Sequence, residues 1–312
     1  MDTQPVQVAA FYRFTAMAEL PTLRRELLEL AVQGGVRGTI LLAEEGINGT
    51  ISGPEAGVQR LLAQLRQLPG LEHLEARLSR APAQAFHRLK VRLKREIVTM
   101  GCPTVKPAEQ VGTYVSPQQW DALIRDPATL VIDTRNHYEV ALGTFEGALN
   151  PGTESFREFP AWVEQKLRPL VEQRRPKAIA MFCTGGIRCE KSTAYLQQQG
   201  FEGVHHLQGG ILGYLEAGPK QDSSWRGECY VFDQRVSVTQ RLQPGSHRLC
   251  HACGLPLSEA DRQHPAYREG VSCHHCIERF SEADRARFIE RQRQMARAGA
   301  RGESHIGATM AR

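Results

Sequence analysis

Residues 178–200 read AIAMFCTGGIRCEKSTAYLQQQG, and the order of residue types there decides the surrounding architecture. Ala178 to Phe182 form an apolar run too short for a buried helix and closed by a Cys-Thr-Gly-Gly break, which predicts a strand buried on both faces. The segment from Glu190 on carries helical spacing and stops at Gly200, a residue that leaves a helix through positive φ at little cost. A strand followed directly by a helix is one unit of a parallel α/β layer. The flanks repeat it: LVIDTR (130–135) and VHHLQ (204–208) predict strands, while FREFPAWVEQKLRPLV (156–171) and GGILGYLEAG (209–218) predict helices.

Upstream, the pattern changes. QVAAFYRF (7–14) predicts a strand, LPTLRRELLELAVQ (20–33) an amphipathic helix, GTILLA (38–43) and GTISG (49–53) two strands, and EAGVQRLLAQLRQLPG (55–70) a second helix. With HRLKVRLKREIVTMG (87–101) as closing strand the order is β-α-β-β-α-β, a ferredoxin-like α+β sandwich. The expected division is a ferredoxin-like domain at 1–100, a linker at 101–128 marked by Pro103, Pro107, Pro117 and Pro127, the parallel α/β domain at 129–220, and a cysteine-rich, basic region at 221–312. A short helix is expected around SPQQWDALI (116–124), and the last dozen residues are expected to fray.

At 312 residues the chain is long enough for several cores, and no apolar run reaches the ~18 residues of a membrane span. The opening MDTQPVQVAAFYRF shows neither the basic start nor the apolar stretch of a secretory signal, so a cytoplasmic protein is expected. In a reducing compartment the eight cysteines point to metal ligands, catalytic thiols or buried packing rather than disulfides.

Cys183 sits at the C-terminal end of a predicted parallel strand, the edge at which open α/β sheets bind ligands. The following Thr184, Gly185, Gly186, Ile187 and Arg188 can turn successive backbone N–H groups toward one anion, since two glycines remove the steric objection to unusual dihedrals. That nest, a helix N-terminus and the Arg188 charge should lower the Cys183 pKa and make it a thiolate nucleophile. Cys189, in the first helical turn, is expected to pack beneath the loop, with a resolving thiol as the alternative. His205 and His206 reach the same edge and are read as surface or packing residues.

Two further patterns concern partners. In the closing strand Arg88, Lys90, Arg92 and Lys94 alternate with Leu89, Val91 and Leu93, so one face carries four cations and no carboxylate. A solvated outer face is the plain alternative, but same-face residues lie about 6.6 Å apart, near the spacing of backbone phosphates, which favours RNA. In the tail, Cys250 and Cys253 precede Cys273 and Cys276 by 19 intervening residues, two CxxC pairs suited to a structural zinc. Cys102 and Cys229 have no partner at useful spacing and are read as structural. After the zinc pattern comes a helix from near Ser281 rich in arginine, among them Arg285, Arg287, Arg291, Arg293, Arg297 and Arg301, suited to being held against RNA.

IDTRN (132–136), GTFEGALNP (143–151), FREFP (156–160) and CTGGIRCEKS (183–192) together resemble a rhodanese domain, in which the first loop cysteine carries a persulfide. AEEGINGTISG (43–53), HRLKVRLKREIVTMG, ECYVFDQRVSV (228–238) and the CxxC pairs extend the resemblance over nearly the whole chain, to the bacterial rhodanese-domain tRNA uridine(34) hydroxylases, the TrhO family. The resemblance implies a tRNA partner, conversion of the wobble uridine to 5-hydroxyuridine with molecular oxygen, and Cys183 as catalytic residue. Related phosphatases place an arginine six positions after the nucleophile; here that position is Cys189, and Arg188 comes one residue early. No flavin or nicotinamide fingerprint is visible. A persulfide-carrying sulfurtransferase and a non-catalytic RNA-binding adapter are the alternatives. Asp133 and Arg135 are expected to pin loops rather than to catalyse.

Overall fold

The computed structural model describes residues 5–218 and 222–301 and divides into two compact units, Met1–Asp233 with Val238–Gln243, and Gln234–Ser237 with Pro244–Arg312. The expected fraying of the last dozen residues falls almost wholly outside the described range.

The first unit begins with β1 (Val6–Phe14), α1 (Leu20–Gln33), β2 (Arg37–Ala43), β3 (Gly46–Gly53), α2 (Glu55–Leu65), β4 (Ala76–Ala81) and β5 (Leu89–Leu93), in a sheet ordered β4-β1-β3-β2-β5. The first four strands, with α1 and α2, form the ferredoxin-like unit. The fourth strand is not the one expected from the sequence. ARLSRA (76–81) takes that place beside β1, and the LKVRL strand is a fifth, parallel to β2 at the opposite edge. The half-exposed, polar ARLSRA carries no clear period-two signal, and its identity as a strand comes from antiparallel pairing with β1. Leu27, Ala31, Leu61, Leu62 and Leu65 of the two helices are buried against Ile40, Leu42, Ile47 and Ile51 of the sheet. Cutting Leu27 to alanine there would cost about 2–5 kcal/mol.

The second domain is a four-stranded parallel sheet ordered β6-β10-β9-β7, from β6 (Thr113–Val115), β7 (Thr129–Asp133), β9 (Ala178–Phe182) and β10 (Val204–Leu207). Thr113–Val115 and α3 (Pro117–Arg125) fall within the stretch read as linker, yet they supply an edge strand and a helix whose Trp120 is fully buried. Three residues of strand are too few to show a period, and pairing with β10 defines them. After β7 come α4 (His137–Val140) and β8 (Gly143–Phe145). The helix expected over 156–171 is divided into a 3-10 turn, α5 (Phe159–Trp162), a π turn at Val163–Leu167 and α6 (Arg168–Arg174). Pro169 has no N–H to donate into the preceding turn, which fits the irregular hydrogen bonding there. α7 (Ile187–Gln198) and α8 (Gly210–Glu216) follow their strands as expected, and β11 (Trp225–Gly227) pairs with β8. β12 (Cys229–Tyr230) and β13 (Ser237–Val238) are two-residue strands.

The two domains of this unit meet at the start of α7. Ile187 and Tyr12 pack on Phe14, Ala43 and Ile97. Lys191, wholly buried, places its Nζ 2.7 Å from Glu45 Oε2 and 2.7 Å from Glu96 Oε2. On the far side Arg77 of β4 pairs with Glu216 of α8.

The second unit holds β14 (Arg248–Leu249), β15 (Pro256–Leu257), α9 (Glu259–Gln263) and α10 (Glu282–Ala300). Its small core consists of Cys250, Leu257, Cys273 and Cys276 with Tyr267 and Phe280 packed on them. So little apolar surface would not hold a fold of this length without a cross-link or a metal.

Candidate active site and metal centre

Cys183 follows the last residue of β9 and is completely buried. The chain turns at Gly186, whose φ of 104° excludes most side chains. The Gly186 N–H donates to the Cys183 sulfur at 3.1 Å. The loop is held from below as well: Ile211 and Leu212 N–H of α8 donate to the carbonyls of Cys183 and Thr184 at 2.9 and 3.0 Å. Gly210 permits this approach, since a Cβ there would stand 2.5 Å from the Cys183 carbonyl oxygen.

Burial alone would raise the Cys183 pKa. It is outweighed by a hydrogen bond from the Cys189 thiol, the nearby Arg188 charge, and the N–H groups of Cys189 and Gly186, which bring Cys183 down to about 6. Cys189 moves the other way, raised by burial and by the adjacent Cys183 sulfur. One proton is thus kept on Cys189 while Cys183 ionises, so the two sulfurs have unlike roles. Thr134 Oγ1 lies 3.7 Å from the Cys189 sulfur and donates to the Phe182 carbonyl, fixing the underside of the loop.

Arg188 lowers the Cys183 pKa as expected, but its side chain is engaged within the protein. Its guanidinium donates to both oxygens of Glu139, at 2.6 and 2.7 Å, and to Thr184 Oγ1 at 3.3 Å. The Glu139 carboxylate is held low, against burial, by Arg188 and by the Asn136 N–H. Arg188 therefore acts on Cys183 through its field from within a buried ion pair. Its outer face lies 6.0 Å from the ring of Phe232, which is exposed. Asp133 and Arg135 are buried and bonded to each other through two contacts of 2.9 and 2.6 Å, with Arg135 also donating to the Gly143 carbonyl and Thr144 Oγ1 to Asp133.

Several residues of the site carry no signal of their own in the sequence. Glu139 lies 49 positions from Arg188, and only its place three residues after Asn136, at the start of a short helix, sets it apart. Tyr12, from the other domain, donates to Glu190 at 2.8 Å, and Tyr114 donates to the same oxygen at 2.9 Å. His206, expected as a surface or packing residue, is the latter: it is 1% exposed, packs edge-on against Tyr114, and has no hydrogen-bond partner on either ring nitrogen. Burial lowers it to about 4, so it is neutral at physiological pH.

Arg88, Lys90, Arg92 and Lys94 all face solvent along β5 and its two flanking residues, and among the described residues none of the four forms an ion pair.

In the second unit the sulfurs of Cys250, Cys253, Cys273 and Cys276 all lie within 4.8 Å of one another, with close approaches of 3.6, 3.8 and 3.9 Å. Four bonds of about 2.3 Å at tetrahedral angles need sulfurs about 3.8 Å apart. The cluster can hold a metal ion of that size. Arg285 donates to the Ile277 carbonyl, and Arg291 to those of His251 and Gly270, so two arginines of α10 fasten the helix to the cysteine loops instead of facing outward.

Comparison with known proteins agrees with this layout. Residues 6–97 match the UPF0176 acylphosphatase like domain, and residues 116–217 match the rhodanese-like domain. A protein of Synechococcus sp. (strain CC9902) named tRNA uridine(34) hydroxylase is 58% identical over 296 residues, covering 93% of this chain and 97% of its own. One of the same name from Gluconobacter oxydans (strain 621H) is 53% identical over 304 residues, covering 97% of each.

Proposed function

Because the chain belongs to the tRNA uridine(34) hydroxylase family, we propose that it converts the wobble uridine of tRNA to 5-hydroxyuridine, with molecular oxygen as co-substrate. The observation that carries the reading is the Cys183 loop. A buried thiol ionised below neutrality, bonded by N–H groups at a helix start and placed at the C-terminal edge of a parallel sheet, is built to act as a nucleophile. The neighbouring Thr184, Gly185, Gly186, Ile187 and Arg188 provide the turn that would receive an anionic group. Arg88, Lys90, Arg92 and Lys94, on β5 and its two flanking residues and without an ion pair among the described residues, would track phosphates, adding affinity without base specificity. A tRNA substrate would fit a cytoplasmic location. Among the described residues no helix is long and apolar enough to cross a membrane.

Cys250, Cys253, Cys273 and Cys276 would hold zinc, whose bond length matches their spacing. When bound, the ion supplies folding energy to a unit with little core. The sulfurtransferase and adapter readings are not favoured: named relatives match over nearly the full length, and the ionised thiol is idle in an adapter. The test is nucleoside mass analysis of tRNA after incubation with the purified protein, with and without oxygen. A gain of 5-hydroxyuridine that requires both protein and oxygen supports the reading; unmodified uridine under both conditions overturns it.

A further inference from the structure

Glu190 lies in the first turn of α7, immediately after Cys189, and its Oε1 accepts from two phenols on different domains. One is Tyr12 of β1, which reaches the catalytic loop itself. A Cβ on Gly186 would stand 2.6 Å from the Tyr12 hydroxyl, so glycine there makes room for the phenol as well as for the turn. Gly186 is also the residue whose N–H bonds the Cys183 sulfur. The other phenol, Tyr114 of β6, is 47% exposed. One carboxyl group therefore joins a hydroxyl at the Cys183 loop to a hydroxyl at the solvent side. His206 packs against the Tyr114 ring at 4.2 Å between centroids, and neither of its ring nitrogens has a hydrogen-bond partner.

Structural need does not explain the arrangement. Two phenols would be satisfied by a glutamine carbonyl, whereas a carboxyl group in a low-dielectric site destabilises its own ionised form. We propose that Tyr12, Glu190 and Tyr114 form a proton relay serving the Cys183 site, with Tyr12 handing the proton to an anion held on the loop. In one concerted shift the Tyr12 proton moves to the anion, the proton of protonated Glu190 moves to the Tyr12 oxygen, and water resupplies Glu190 through Tyr114, so that no free tyrosinate forms. One proton enters and no electrons move.

Burial raises the proton affinity of Glu190 even though both phenols, and the charge of Arg13, act to lower it. Burial and the neighbouring Glu190 raise both phenols above the ordinary tyrosine range, so the protons move together; the other groups facing the path are Cys183 beside Tyr12, and Glu75 and Arg13 near Tyr114, with His206 neutral by burial. Glu190 donates only while protonated, so the relay conducts below its raised pKa and fails as pH rises through it.

The inference rests on the proposed reaction, and one experiment separates their failures. Single-turnover formation of 5-hydroxyuridine is followed from pH 6 to 9 for wild type, Tyr12→Phe, Tyr114→Phe and Glu190→Gln, with tRNA binding measured in parallel. Wild type should lose rate toward high pH. Tyr12→Phe should be slower by about 10²-fold with tRNA affinity unchanged, and Glu190→Gln should be slow and lack the alkaline fall. Tyr114→Phe, altered at an exposed position, should fold and still be slowed. Active wild type with variants at its rate and pH profile overturns the relay alone, as does a loss confined to KM. Wild type that makes no 5-hydroxyuridine overturns both.

Discussion

Replacing Glu139 by glutamine isolates the role of the buried ion pair behind Cys183. Glu139 is fully buried, Arg188 nearly so, and they share two short bonds. Removing one charge from such a pair costs about 3–5 kcal/mol, because the remaining ion stays buried without compensation. Glutamine keeps an acceptor, which places the expected loss near the lower figure. All three tryptophans, Trp120, Trp162 and Trp225, lie in the second domain, so urea unfolding read by tryptophan fluorescence reports the affected part directly. The same variant should change Cys183. With Arg188 no longer neutralised, the field on the sulfur strengthens and its pKa drops below the present value of about 6. The sign follows from linkage: Cys183 is held below the ordinary thiol value, so its contribution to stability is complete above that value and is lost as pH falls through about 6. In the variant the loss moves to lower pH, and alkylation of Cys183 at pH 5.5 becomes faster although the protein is less stable. Unchanged unfolding together with an unchanged alkylation midpoint would refute the pair's role in both.

Purified protein should carry about one zinc per chain, absent from the Cys250→Ser, Cys273→Ser double variant by elemental analysis; a metal-free wild type with a stable second unit would assign the cysteines another use. Neutralising Arg88, Lys90, Arg92 and Lys94 together should weaken tRNA binding and reduce the log–log salt slope by up to about 3, from roughly 0.7–0.9 per phosphate contact, with Cys183 alkylation unaffected. A slope equal to wild type would make the row a solvated face. Lys191→Met leaves Glu45 and the largely buried Glu96 facing each other, and should cost about 3–5 kcal/mol at neutral pH, measured by urea unfolding. Glu96 is held low by Lys191 against burial, so its stabilising contribution is present at neutral pH and lost on acidification; in the variant the deficit should shrink as pH falls.

What the sequence disclosed, and what it hid, divides along chain distance. Cys183 and its turn are legible because strand, Gly-Gly break and helix are contiguous and each uses a local rule. The four-cysteine cluster is legible for a similar reason, since two short-range pairs leave only one distance to close. Arg88 through Lys94 could be assigned to one face from alternation alone, but not to the sheet edge. That place depends on ARLSRA pairing with β1 at the opposite edge, where a half-exposed polar strand shows no period. β6 is three residues in a proline-rich stretch and exists through β10. The groups that tune the site were hidden most fully. Glu139, Glu190, Tyr12 and Tyr114 are ordinary residues in their own segments: Glu139 gains its role by facing Arg188 within the parallel α/β domain, and Glu190 gains its role where Tyr12 of the other domain and Tyr114 meet at α7. The same meeting neutralises Lys191 and seats Tyr12 against Gly186, so the charges flanking Cys183 in sequence are not the ones that face an anion in space.

The most direct test compares Cys183→Ser with Cys189→Ser in oxygen-dependent 5-hydroxyuridine formation on tRNA, read by nucleoside mass analysis with folding of each variant verified. Cys183 is the ionised sulfur and Cys189 its proton-bearing neighbour. The expected result is no product from Cys183→Ser and a substantial residual rate from Cys189→Ser, whose hydroxyl can still donate to Cys183. Full activity in Cys183→Ser, or equal and complete loss in both folded variants, would contradict a single nucleophile at the end of β9.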